Sequence, residues 1–255
     1  MVNQDHSVAK SLTADTTELL PYIPYLLQDI FELGSSPKDM IELVKNHVPI
    51  KVNKVLDLGC GKGAVSIAIA KALGAEVKGF DLMSAFIAEA EMQAIKEGVH
   101  HHVEFKIKDI HLAIEEERNY DLVIYGALGD VLGPPEILLD KLKHTVHNEG
   151  YILIDDAYGQ SGIQVDYYTK SDWLKSLSLS SLELVAEKFV PLETLEELNR
   201  VTMQSIQKRV EELKAIYPDK GRLFESYRVS QQAECDTLET SIQGVTMLIR
   251  HNDRC

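Results

Sequence analysis

Between residues 54 and 155 the chain alternates short apolar runs with longer stretches whose apolar residues recur every three or four positions. The short runs are Lys54–Asp57, Glu76–Phe80, Val103–Lys106, Leu122–Tyr125 and Tyr151–Asp155, and they read as buried strands. Helical stretches lie between them, at about 64–73, 84–97, 111–117 and 135–146. Ser84 has the chemistry of an N-cap, and Gly98 that of the matching C-terminal stop. Strands separated by single helices predict a parallel sheet with right-handed crossovers.

The pattern differs at both ends. Residues 1–15 are polar and read as loose. A helix is expected at about 24–33, its first turn tolerating Pro24. A second runs from Pro37 to about His47, with Ser36 as N-cap, and Pro49 closes it. After Asp156 come a Tyr- and Gly-rich loop at 157–170, a helix at 171–177 and a strand at 182–190. Residues 193–217 form an amphipathic run with Leu195, Leu198, Met203, Ile206, Val210 and Leu213 on one side. Pro218 to Gly221 break it, 222–237 read as another helix, and 241–250 as a last strand. With no internal repeat and no low-complexity linker, the chain reads as one domain, 1–255. It divides into an N-terminal helical segment (1–48), a core (49–156) and a C-terminal part (157–255) with a helical lid at about 193–239.

Composition narrows the function. A net charge of −14 disfavours a protein that grips nucleic acid through its phosphates, which needs a basic face. No apolar run approaches the roughly 18 residues of a membrane span, and residues 1–10 lack the apolar stretch of a signal peptide. Cys60, Cys235 and Cys255 are too few and too scattered for a disulfide framework or a zinc site, which points to a reducing, cytoplasmic setting.

The chemistry concentrates where the first strand ends, in Val55-Leu56-Asp57-Leu58-Gly59-Cys60-Gly61-Lys62-Gly63. A strand, a glycine turn and a helix open a nucleotide-type cofactor site. Gly59-x-Gly61-x-x-Ala64 fits the dinucleotide fingerprint, and Gly59-x-Gly61-x-Gly63 fits equally well, so the glycines leave two cofactors open. Asp57 favours one of them. Beside a pyrophosphate its carboxylate would cost about 3–4 kcal/mol per charge pair, for a separation of about 4–6 Å and an effective dielectric near 20. A ligand that carries an ammonium group and no phosphate would be favoured instead.

These residues resemble the first motif of the class I S-adenosylmethionine-dependent methyltransferases. Gly79-Phe80-Asp81 resembles the acidic end of that family's second strand, Lys108-Asp109-Ile110 the turn after the third, Tyr120 to Gly126 the fourth strand, and Gly150 to Asp156 the Gly-strand unit that follows. The resemblance implies a Rossmann-like α/β fold. Its seven-stranded sheet is mostly parallel with an antiparallel last strand, joined by N-terminal helices and a helical insertion before that strand. It implies S-adenosyl-L-methionine as cofactor, held by Asp57, Gly59, Cys60, Gly61, Gly63, Asp81, Leu82, Asp109, Ile110, Tyr125 and Gly126. Within it, Asp81 would accept hydrogen bonds from the ribose hydroxyls and Asp109 would lie near the adenine amino group.

Each residue also has a plainer reading. Asp57 and Asp81 could serve as helix caps, Asp109 as a solvated loop carboxylate, and Cys60 as a small turn residue with no His partner placed by sequence. His100, His101 and His102 point in different directions, and Asp155-Asp156 lack an identified third oxygen ligand, so no metal is assigned. Methyl transfer is an in-line displacement in which the protein supplies position and desolvation. Candidate bases at the fourth- and fifth-strand ends are Tyr125, Asp130, Asp155, Asp156 and Tyr158. Tyr22, Tyr25 and Gln28, with Gly34-Ser35, are placed to close over the amino acid end of the cofactor. Tyr125-Gly126-Ala127-Leu128 departs from the Asp/Asn-Pro-Pro-aromatic motif of the nucleic-acid amino-group enzymes. The acceptor is therefore read as a small molecule. An RNA or protein methyltransferase, an NAD(P)-binding oxidoreductase and a catalytically silent cofactor-binding protein are the alternatives. The oligomeric state is open, a homodimer included.

Overall fold

The computed structural model of the chain describes residues 2–160 and 167–252. Seven strands form one sheet: β1 Lys54–Leu58, β2 Glu76–Asp81, β3 Val103–Ile107, β4 Tyr120–Gly126, β5 Val146–Gly159, β6 Leu182–Phe189 and β7 Ile242–His251. Their spatial order is β3-β2-β1-β4-β5-β7-β6. The first five pair in parallel, while β7 runs antiparallel to both β5 and β6. The chain steps outward from β1 to β3, then returns to β4 on the other side of β1. That reversal opens a crevice beyond the carboxyl ends of β1 and β4.

Helices cover both faces. On one side α3 (Pro37–His47), α4 (Ala64–Leu73) and α5 (Ser84–Lys96) pack on the sheet through residues such as Met40, Ile69 and Ala90. On the other, α6 (Ile110–Glu116), α7 (Pro135–Lys143) and α8 (Lys170–Leu179) bury Ala113, Leu139 and Trp173. Ser36 caps α3 as expected, accepting from the Asp39 N–H at 3.3 Å. Ser84 does not cap α5. Met83 holds that position and Ser84 begins the helix, because Asp81 already takes the Met83 N–H at 2.8 Å.

A third apolar cluster lies off the sheet. It joins α1 (Val2–Ser11), the 3-10 turn Thr17–Tyr22, α2 (Ile23–Leu26), α9 (Leu192–Ile216) and α10 (Gly221–Thr240) through Ala9, Leu19, Ile23, Val210 and Phe224. Three sequence expectations change here. The segment 1–15, read as loose, contains α1. The helix expected at 24–33 is a single turn, α2, because tertiary partners claim the residues beyond it: the Leu27 carbonyl accepts Lys62 Nζ at 2.8 Å, and Asp29 pairs with Arg209. The stripe along 193–217 is buried only at Ile206, Val210 and Leu213, while Leu198 is 55% exposed, so the first half of α9 stands clear of the core. Of the loop expected at 157–170, residues 157–159 extend β5 and 161–166 lie outside the described residues, as does Cys255. Among the described residues no helix is long and apolar enough to cross a membrane.

Candidate functional site

A cavity of about 540 Å³ fills the crevice at the ends of β1, β2 and β4. The turn after β1 is held against β2: the Gly59 and Cys60 N–H groups donate to the Phe80 carbonyl at 2.8 and 2.9 Å. The next N–H, of Gly61, donates to Asp81 Oδ2 at 2.9 Å, and the Met83 N–H reaches Oδ1 of the same carboxylate at 2.8 Å. Burial raises the Asp81 pKa, and these bonds work against that rise. Asp109 caps α6, accepting from the His111 N–H at 2.8 Å.

Of the residues implied for the cofactor, Gly59, Gly61, Asp81, Leu82, Asp109, Ile110 and Gly126 line this cavity. Asp57, Cys60, Gly63 and Tyr125 are not part of its wall. The Asp57 carboxyl is buried and accepts from Ser66 Oγ in α4 at 2.5 Å; burial pushes its pKa up to about 6. Its contact is thus with the helix, and any electrostatic effect on a bound ligand acts from beneath the turn. Cys60 is buried with its thiol pKa pushed up, which removes it as a nucleophile at neutral pH. Gly63 begins α4 in the left-handed conformation, packed against Phe105 and Ala90.

None of the five candidate bases lines the cavity. Tyr125 donates to the Gly129 carbonyl at 2.8 Å and accepts from the Leu132 N–H at 3.3 Å, so it fixes the turn after β4. Tyr158 donates to Glu187 at 3.1 Å, and burial raises both tyrosine pKa values. Asp130 is exposed. Asp155 accepts from Thr246 Oγ1 at 2.8 Å and Asp156 from the Ala157 N–H at 2.7 Å. Burial pushes each of these two carboxyls up to about 6.

The Asp156 shift carries a stability prediction. Its folded pKa lies above the ordinary value near 3.9, so the native state holds a proton that the unfolded chain has lost. Ionisation of Asp156 therefore costs stability as pH rises towards and past about 6, and the cost vanishes near pH 4. Asp156→Asn should be more stable than the natural chain at pH 7.5, by about 1–3 kcal/mol. That advantage should disappear as pH falls to about 4. Melting temperatures of both chains across this range test it, and a constant difference would sink it.

Sequence reasoning missed one wall. Helix α1 places His6, Ser7, Val8, Lys10 and Ser11 along the cavity, and Leu12 follows in the turn after it. The available signal was a short stripe, Val8, Ala9 and Leu12, with Asp5 in the first turn and Lys10 in the last to suit the helix dipole. Tyr22, Tyr25 and Gln28 lie elsewhere. Tyr22 stands edge-on to Phe224 with ring centres 4.9 Å apart, and Tyr25 donates to Glu212 at 2.8 Å. In the amide orientation that satisfies both groups, the Gln28 oxygen accepts from Arg209 at 3.0 Å. Leu33 does reach the wall, and Gly34 and Ser35 press on Ala127 and Gly126. Neither α9 nor α10 lines the cavity; both brace the N-terminal segment from outside. Among the described residues no group of three His, Cys, Asp or Glu side chains is placed to hold a metal ion.

Residues 51–221 match the family model described as a methyltransferase domain. The ribosomal protein L11 methyltransferase of Campylobacter fetus is 30% identical over 154 residues, covering 57% of this chain and 50% of that one. The ubiquinone biosynthesis O-methyltransferase of Paraburkholderia phymatum is 28% identical over 112 residues, 44% of this chain and 47% of its own. The chain thus spans half the length, or less, of the curated relatives it matches. Among solved structures, an S-adenosylmethionine-dependent methyltransferase from Geobacter sulfurreducens, in complex with S-adenosyl-L-homocysteine, superposes with a TM-score of 0.73. It shares 14% identity and covers 89% of this chain and 96% of that one, a likeness of fold. The chain belongs to the methyltransferase-domain family.

Proposed function

We propose that this chain transfers a methyl group from S-adenosyl-L-methionine to a small-molecule acceptor in the cytoplasm. The observation that carries the reading is the cavity wall. The chain's own α1 borders the cavity on one side, with Val8, Leu12, Leu33, Phe86, Leu128 and Val131 as apolar wall, and the cavity's volume suits a cofactor with a small partner. The acidic net charge of −14 and the free, buried Cys60 and Cys235 support the absence of nucleic acid and the reducing setting.

The residues present fit the cofactor. Asp81 is a half-buried carboxylate that accepts from the Gly61, Met83 and Leu82 N–H groups, and its two oxygens keep room to accept a further bond from a ribose hydroxyl. Gly59 and Gly61 would let the ligand approach the backbone, Leu82 and Ile110 would offer apolar faces to the adenine, and Asp109 would stand near its edge. When bound, the cofactor supplies a methyl group on a sulfonium that is already a good leaving group. The chain's own task is to orient the acceptor, exclude water and receive a proton. Among the described wall residues, His6 and His111 carry the side-chain type that most often receives a proton. Helix α1 lies beside the turn Gly129–Leu132 that follows β4, which supports a position for His6 on the acceptor side.

A protein or RNA acceptor is the second reading, favoured by the name of the L11-methylating relative. Incubating the protein with cell extract and methyl-labelled S-adenosylmethionine, then separating small molecules from protein and RNA, decides between them. Label in the low-mass fraction is expected. Label confined to macromolecules would overturn the reading. Calorimetry should find tight S-adenosylhomocysteine binding and none for NAD.

A further inference from the structure

Lys62 lies inside the glycine turn, between Gly61 and Gly63, with its side chain 0% exposed. It forms no part of the cavity wall. A buried cation is costly unless it is paired and hydrogen-bonded. Its Nζ donates to the Leu27 carbonyl at 2.8 Å, pairs with Glu89 of α5 at 3.0 Å and stands 5.8 Å from the centre of the Phe86 ring.

These partners belong to different bodies. Leu27 begins the segment that lies directly on the cofactor-facing turns. A Cβ on Gly61 would sit 3.2 Å from Leu33, one on Gly34 2.7 Å from Ala127, and one on Gly126 2.4 Å from Ser35 Oγ. From outside, α9 grips the same segment: Arg209 binds both Asp29 oxygens at 2.7 Å, and Glu212 accepts from Tyr25. Helix α10 holds the loop after α1, where the Leu12 carbonyl accepts from Gln231 at 3.3 Å. The off-sheet cluster is therefore one cap: α1, residues 17–35, α9 and α10. Its one fully buried member from the sheet domain is Phe86, which also lines the cavity.

We propose that Lys62 is a positioning residue that couples cofactor binding to the seating of this cap. The turn that cradles the cofactor carries the lysine backbone, and the lysine head holds the cap backbone at Leu27. The turn cannot shift without pulling that carbonyl or costing the buried ammonium its Leu27 hydrogen bond. Coupling of this kind is reciprocal: a seated cap favours the cofactor, and the cofactor favours a seated cap.

The proposal rests on S-adenosylmethionine as the cavity's ligand. Its test is calorimetry of S-adenosylhomocysteine with hydrogen exchange of residues 5–35, on the natural chain and on Lys62→Met, which keeps similar apolar bulk without the charge. In the natural chain the ligand should slow exchange in 5–35. In Lys62→Met the Kd should rise about tenfold or more, and saturating ligand should leave 5–35 exchanging at the free rate. A merely structural lysine would lower the melting temperature while the ligand still protected the cap, and that result overturns the proposal. If Lys62→Met does not fold, Glu89→Gln, at a partly exposed partner, decides: weakened protection supports the coupling and full protection refutes it. Failure of the natural chain to bind S-adenosylhomocysteine would refute the cofactor assignment itself and this proposal with it.

Discussion

Asp81→Ala is expected to weaken S-adenosylhomocysteine binding by about 100-fold or more, equivalent to roughly 2.7 kcal/mol. The carboxylate does two jobs at one place. It receives the Gly61 and Met83 N–H groups, and so sets the glycine turn against the start of α5. It also faces the cavity, where the ribose of the cofactor would donate to it. Alanine leaves two backbone donors without partners at a buried site, at about 1–3 kcal/mol each, and removes the acceptor for the ligand. Asp81→Asn separates the jobs. Its amide oxygen can serve one N–H, while its NH₂ opposes the other, so most of the loss should remain. Calorimetry reads the binding and thermal denaturation the fold. Binding within threefold of the natural chain for both variants would show that Asp81 serves only as a cap.

Gly63→Ala should be the most destabilising single methyl added to the turn. Gly63 has φ of +79°, where an L residue costs about 1–2 kcal/mol. The added Cβ would also come within 2.8 Å of Phe105 Cζ and 2.9 Å of the Ala90 Cβ, both in packed surroundings. Overpacking of this kind costs about 1–3 kcal/mol more. The sum, about 2–5 kcal/mol, corresponds to a fall of roughly 5–15 °C in melting temperature. Gly74→Ala is the control. Its φ is +66° but nothing lies within 4 Å of the new Cβ, so only the backbone cost should appear. Equal losses at the two positions would show that conformation alone matters at Gly63.

The strands and most helices were legible because their cause is local. A buried strand end such as Val55–Leu58, running into glycines, has few other conformations, and the sheet of β1 to β7 follows from seven such runs. The glycine turn and the place of Asp81 beside it were legible for the same reason: a short turn beside a strand end leaves its residues few places to point. Asp57 was harder to read. Its partner Ser66 lies nine residues on, and only the return of α4 over β1 brings the two together.

The cap belongs to tertiary structure. Helix α1 is too polar to announce itself; it packs on the 3-10 turn Thr17–Tyr22 and the turn after β4, and α10, some two hundred residues away, holds the loop that follows it. Three of the candidate bases are held away from the cavity by nearer partners: Gly129 for Tyr125, Glu187 for Tyr158 and Thr246 for Asp155. Lys62 looks like a surface residue in a glycine loop until Leu27 and Glu89 close over it. The sequence by itself determined the sheet and the glycine turn beside Asp81, since each depends on neighbours along the chain. Which side chains face the cavity was decided only by folding, because burial and hydrogen bonding between distant segments choose where a side chain can point.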